Sequence, residues 1–185
     1  MTWAITKAKT LAYPTLWWNM LLGRVLKLRN WWDPVDDQLV LGAYPFEADV
    51  PGLSDMGVTS VLNTCAEYPG PTDQYKQYDI EQCRVPTVDF IHPTLASIEK
   101  GVEFIDREIA KGGKVYVHCK AGRGRSATVV VCWLMKHKGM TAEEAQAYLL
   151  QKRPQVNPRI KNRTGVKQFE AKLRLDRTTV QDNPS

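Results

Sequence analysis

One stretch constrains this chain more than any other. It runs Val115-Tyr116-Val117-His118-Cys119-Lys120-Ala121-Gly122-Arg123-Gly124-Arg125-Ser126. Val115–Val117 reads as a short apolar strand, and the apolar run Ala127–Met135 after it reads as a buried helix. Between them lie a cysteine, a loop of small residues and an arginine six positions after Cys119. A strand–loop–helix of this kind is an anion cradle, because loop amides can converge on one centre and the helix N-terminus adds a positive partial charge. The same field lowers the pKa of a thiol at its rim. The planar fork of Arg125 can hold two phosphate oxygens. The arrangement aims a nucleophile, Cys119, at a bound phosphate.

A cysteine after a strand is by itself a packed core residue, and Gly122 and Gly124 by themselves mark a turn. The whole pattern, His-Cys-x5-Arg-Ser between a strand and a helix, is the signature of cysteine-dependent phosphatases. Cys119 is the expected nucleophile. Lys120, Ala121, Gly122, Arg123, Gly124 and Arg125 form the expected phosphate-binding loop. The Ser126 hydroxyl can ease departure of the Cys119 sulfur, and as the first residue of a helix it can also cap it. His118 is expected to order the loop by hydrogen bonding.

The chain has 185 residues, one domain's worth. Its four cysteines, Cys65, Cys83, Cys119 and Cys132, include no close Cys-x2-Cys pair, so neither a metal nor a cofactor is expected. No small-residue cleavage site follows the early apolar run, which favours a reducing compartment. Residues 1–32 carry Lys7, Lys9, Arg24, Lys27 and Arg29 and no acid, so the whole net charge of +5 resides there. The same segment holds Trp3, Trp17, Trp18, Trp31 and Trp32. A helix from about Pro14 to Leu28 would be too short to span a bilayer, which takes ~20 residues. Basic residues with Trp and Leu suit a helix lying in a membrane interface. The competing expectation is a helix packing its aromatics on the domain itself, and the two are compatible.

Strands and helices then alternate. Strands are expected at Gln38–Leu41, Val58–Asn63 and Ile80–Val85, and helices at Val50–Met56 and Leu95–Lys111, the latter from its recurring Leu95, Ile98, Val102, Ile105 and Ile109. Residues 67–73 read as loop. Thr141 and Glu144 form a capping box opening a helix to Lys152. A last helix is expected at Lys161–Leu175, and Thr178–Ser185 reads as a frayed tail. The fold class is α/β, a mostly parallel sheet flanked by helices. The expected division is 1–32 as an interface segment, 33–175 as the catalytic domain and 176–185 as a flexible tail. No nucleic-acid motif is present, and the expected state is a monomer.

The departing alkoxide needs a proton from another segment. Asp89, on the loop after the third strand, lies at the C-terminal edge of the sheet, where α/β sites form. It is the expected general acid, ahead of His92 and then Asp73 and Asp79.

With Asp89 upstream, residues 118–126 resemble the dual-specificity branch of the protein tyrosine phosphatase superfamily. Tyr13–Leu16, Leu41–Pro45, Thr87–Asp89, Lys100–Phe104 and Val115–Thr128 bring the chain closer still to the mitochondrial-type phosphatidylglycerophosphate phosphatases, over about Tyr13 to Phe169. That family carries a Glu-Glu-Tyr-Glu patch after its second strand; here the stretch is Cys65-Ala66-Glu67-Tyr68-Pro69, and only Glu67 and Tyr68 remain. The resemblance implies hydrolysis of an anionic phospholipid monoester at a membrane surface, the mitochondrial inner membrane in a eukaryote. Lys120 and Arg123, two cations beyond Arg125, are expected to serve a second phosphate. The rivals are a phosphoinositide phosphatase and a generic phosphotyrosine/phosphoserine phosphatase. A sulfur-transfer or arsenate-reducing enzyme and a non-catalytic phosphate-binding module fit Cys119, Arg125 and Asp89 less well.

Overall fold

The computed structural model describes residues 17–181 apart from 19 and 27, with no side-chain description for 178–181. Five strands form one sheet: β1 (Trp32–Pro34), β2 (Leu39–Gly42), β3 (Val58–Cys65), β4 (Glu81–Thr87) and β5 (Lys114–His118). Their order is β1-β2-β5-β3-β4. β1 runs antiparallel to β2 and every other pairing is parallel, as the alternation of strands and helices implies.

The helices are α1 (Val50–Asp55), α2 (Thr72–Gln77), α3 (Leu95–Ala110), α4 (Arg125–His137), α5 (Ala142–Lys152) and α6 (Thr164–Gln181). Strand side chains alternate between the two faces. Leu39, Leu41, Val115 and Val117 join the core under α3, α4, α5 and α6. Val40, Val61 and Tyr116 join a smaller cluster with α1 and α2. The sheet is therefore covered on both sides, which is why residues 39–41 of β2 and 115–117 of β5 are buried and largely apolar. Thr94 caps α3 by accepting from the Ser97 amide, and Thr141 and Glu144 form the expected capping box on α5.

Several elements differ from the sequence reading. β1 was not expected; it is a short edge strand, and Pro34 is tolerated there because an edge needs no further donor. α2 occupies residues that read as loop and unassigned chain, with Pro71 at its start. α6 runs on to Gln181, so the tail expected from residue 176 is helical that far; residues 182–185 lie outside the described residues. Of the helix expected at Pro14–Leu28, the part before residue 17 lies outside the described residues. Trp17, Trp18 and Met20 are helical, and a π-helical turn at Leu21–Val25 ends the element early.

Described residues just before the expected boundary at residue 32 pack on the domain. Trp31 is buried, and its Nε1 donates to Tyr44 O at 2.6 Å. Trp32 is in the sheet, and Arg24 pairs with Asp49 while lying over the Trp31 ring at 4.4 Å. Trp17, Trp18, Val25, Leu26 and Leu28 remain exposed. No helix among the described residues is long and apolar enough to cross a membrane.

Candidate active site

The parallel strands all end on one edge, and the loops that follow them converge there. Residues 119–124 link β5 to α4. Their carbonyls are held from outside: Tyr44 N donates to Lys120 O (3.4 Å), Arg153 to Ala121 O and Gly122 O (3.1 and 2.9 Å), Asn157 N to Arg123 O (2.9 Å) and Arg163 to Gly124 O (3.0 Å). Outward-held carbonyls leave the amides to face the centre of the loop. Gly122 is required at its place. Its φ is +63°, and a Cβ there would lie 2.4 Å from Gly42 O.

Cys119 sits at the base of this loop with 4 % of its surface exposed. Burial by itself would push the thiol pKa up. The Arg125 guanidinium, the Ser126 hydroxyl and the amides of Ser126 and Ala121 outweigh it and bring the thiol down to about 6. The Ser126 Oγ is buried and meets no well-formed partner among the described residues, so the interaction left to it is with the Cys119 sulfur. The other cysteines, Cys65, Cys83 and Cys132, are pushed up by burial. Cys119 alone among them is prepared as a thiolate.

Arg125, the first residue of α4, is buried. Glu67 takes one N–H from each terminal nitrogen, at 2.8 Å on Nη1 and 2.7 Å on Nη2, and Thr87 O accepts from Nη1 at 2.8 Å. Asp89 Oδ1 lies 3.0 Å from Nη2. Nε has no partner among the described residues. Glu67 itself would be raised by burial, but the Arg125 hydrogen bonds and charge hold its carboxyl below the ordinary value.

Asp89 reaches the site as expected, on the loop after β4, paired with Lys120 as well as with Arg125. Lys120 is therefore not a free cation for a second phosphate; it is buried, holds Asp89 and lies over the Phe90 ring. Arg123 is exposed, with its Nε donating to Gln155 O at 2.7 Å. His92 lines the same cleft, and burial and the nearby Arg163 draw its imidazole below its ordinary value. Asp73 and Asp79 lie away from it, Asp73 in an exposed pair with Lys76.

The Cys119 backbone is the polar group that acts on the His118 ring. Both ring nitrogens are buried without a well-formed partner, and burial lowers the imidazole to about 3. The ring is packed among Tyr44, Tyr68 and Tyr116, and the His118 carbonyl accepts from Thr64 Oγ1 at 2.8 Å. It orders the loop as a neutral aromatic wedge.

Above the loop opens a cleft of about 650 Å³. Trp18, Phe90 and Ile91 supply apolar lining; Arg29, Arg123, Arg159 and Arg163 supply charge. Glu67, Arg153 and Arg163 carry much of this geometry and were not foreseen as site residues. Glu67 was legible only as the remnant of an acidic patch; Arg153 follows the helix expected to end at Lys152, and Arg163 falls inside the helix expected at Lys161–Leu175, where neither carried a signal for this site.

Residues 39–172 match the family described as dual specificity phosphatase, catalytic domain. Phosphatidylglycerophosphate phosphatase PTPMT1 of Arabidopsis thaliana is 43% identical over 152 residues, spanning 80% of this chain and 45% of that protein. PTPMT2 of the same plant is 40% identical over 164 residues, spanning 87% of this chain and 72% of the relative. This chain thus spans under half the length of the first and nearly three quarters of the second. Phosphatidylglycerophosphatase and protein-tyrosine phosphatase 1 of Mus musculus is 35% identical over 175 residues, spanning 90% of this chain and 91% of the relative. The crystal structures of PTPMT1 and of PTPMT1 in complex with PI(5)P each superpose with a TM-score of 0.72 at 32% identity, covering 80% of this chain and 99% of theirs.

Proposed function

This chain belongs to the dual-specificity phosphatases, and from that premise we propose that it removes the terminal phosphate of phosphatidylglycerophosphate at a membrane surface. The observation that carries the reading is the pairing of a lowered thiol with a cleft that is both cationic and apolar at its mouth. A phosphotyrosine peptide uses one phosphate site. An acidic lipid uses several cations and an apolar rim. Relatives whose names carry this activity align over most of the chain.

The Cys119 thiolate attacks phosphorus. The S–P bond forms as the P–O bond to the leaving oxygen breaks, and Asp89 gives that oxygen its proton. The phosphoryl oxygens take the Arg125 Nε–H and the Nη2–H beside Asp89, so Asp89 moves from the arginine to the leaving oxygen. Glu67 and Thr87 O keep the rest of the fork in place. Water then attacks the phosphocysteine, Asp89 takes its proton, and Ser126 donates to the departing sulfur.

The exposed Trp17, Trp18, Phe90 and Ile91 favour peripheral seating on the bilayer, the mitochondrial inner membrane in a eukaryote, with the protein acting as a monomer. The likeness to a PTPMT1 structure holding PI(5)P keeps a phosphoinositide as the second reading. Phosphate release from lipid phosphates in anionic vesicles tests both. Phosphatidylglycerophosphate should give the highest kcat/KM. A phosphoinositide or a phosphotyrosine peptide in first place would replace the reading.

A further inference from the structure

Arg163 is a buried cation with no carboxylate partner among the described residues, and only 8 % of its surface is exposed. Nη1 donates to two neutral acceptors, Gly124 O at 3.0 Å and Thr128 Oγ1. Nη2 lies beside Gly124, where an added Cβ would come within 3.4 Å of it. The side chain thus lines the cleft at the rim of the phosphate loop. Burial draws its pKa down, and the Cys119 thiolate opposes that. Burying a charge with neutral partners only is costly unless a ligand brings the opposite charge.

The surroundings add to the excess. Arg159 lines the same cleft and is exposed, and its side chain makes no hydrogen bond or ion pair among the described residues. Arg29 and Arg123 also line it, and burial and then the repulsion of Arg29 and Arg153 depress Arg123. The one carboxylate in the lining, Asp89, is engaged by Lys120 and Arg125. A phosphate bound at Arg125 leaves the positive charge around Arg163 and Arg159 unanswered.

We infer that Arg163 and Arg159 form a second anion subsite beside the phosphate loop, which holds the phosphodiester of a two-phosphate glycerol headgroup while its terminal phosphate reacts at Cys119. This rests on the phosphatidylglycerophosphate reading and deepens it. It also moves the second-phosphate role from Lys120, which holds Asp89, to the two arginines that flank the 3-10 turn Ile160–Asn162 ahead of α6.

The test uses the full chain and two water-soluble competitors of p-nitrophenyl phosphate hydrolysis. Glycerophosphoglycerophosphate is the deacylated headgroup with two phosphates; glycerol 3-phosphate presents the same reacting ester with one. The wild-type protein should bind the first about tenfold or more tightly than the second, the scale of one charged hydrogen bond. Arg163→Gln should abolish most of that ratio, Arg163→Lys should keep part of it, and Arg159→Ala should lower it severalfold. Arg159 is exposed, so its variant carries the test if Arg163→Gln does not fold. A wild-type ratio near one overturns the subsite, as does an unchanged ratio in the folded variants or an equal loss for both competitors. A ratio that depends on Arg163 in a protein that spares phosphatidylglycerophosphate in vesicles supports the subsite and overturns the lipid reading instead.

Discussion

Glu67 and Arg125 meet through two parallel hydrogen bonds of 2.8 and 2.7 Å, across 58 positions of sequence. The carboxylate closes one side of the guanidinium fork and turns the other toward Cys119. Replacing Glu67 by Gln removes the charge and one of the two acceptor contacts. A drop in kcat/KM of about ten- to hundredfold is expected, since a charged hydrogen bond is worth ~1.5–3 kcal/mol. The pH dependence of stability has a definite sign. The Glu67 carboxyl is held below its ordinary 4.5, so its contribution is complete above that value and is lost as pH falls through the lowered one. Denaturant melts should show wild type and Glu67→Gln separated near neutrality and converging in acid.

Alkylation of Cys119 by iodoacetate should titrate with a midpoint near pH 6, because only the thiolate reacts and its fraction rises through that value. Ser126→Ala should move the midpoint upward by removing a hydrogen bond to the anion. Cys119→Ser should reduce turnover to background while phosphate still binds. A midpoint near the ~8.5 of a free thiol would mean that the loop does not stabilise the anion.

Asp89→Asn should slow alkyl phosphates by about 10²–10⁴-fold and p-nitrophenyl phosphate far less, since only the poor leaving group needs the proton. Lys120 touches Asp89, and Lys120→Ala should therefore show the same dependence on leaving group at smaller size. Equal losses on both substrates would assign the proton to another group, first to His92.

Gly122→Ala should lower stability by about 2 kcal/mol or more, because it combines left-handed backbone with a clash against Gly42 O. Thermal melts measure it directly. A Tm equal to wild type would mean that the loop and β2 can separate at no cost.

Trp17→Ser with Leu28→Ser should weaken binding to anionic vesicles by roughly tenfold or more, since a buried large apolar side chain contributes ~1.5–3 kcal/mol. Neither residue lines the cleft, so hydrolysis of a soluble aryl phosphate should be preserved. Adding salt should weaken the binding further by screening the basic residues. Removing residues 1–32 altogether is expected to damage the fold, because Trp31 is buried, Trp32 is in the sheet and Arg153 bonds to Asn30 O and Trp31 O. Vesicle binding unaffected by the double substitution would place the membrane contact elsewhere.

What the sequence determined by itself is local. Residues 115–126 specify a strand, an anion loop and a helix because apolar periodicity, glycine freedom and one cysteine with one arginine act within a dozen residues. Thr141 and Glu144 specify a helix start for the same reason, and the spacing from Leu95 to Ile109 specifies one face of α3. Asp89 was legible because a strand end fixes where its loop emerges. Tertiary structure decided the partners. Glu67 to Arg125, Arg153 to the carbonyls of Ala121 and Gly122, and Arg163 to Gly124 O join segments 31 to 58 positions apart. No period or cap encodes such pairs, since ionic and carbonyl contacts depend on where whole elements pack. The same holds for Lys120, whose sequence neighbours mark it as a loop cation and whose packing makes it the partner of Asp89. It holds for the described residues of 17–32, where charge and tryptophan content describe an interface segment and only packing leaves Trp17, Trp18 and Leu28 exposed while burying Trp31 and placing Trp32 in the sheet.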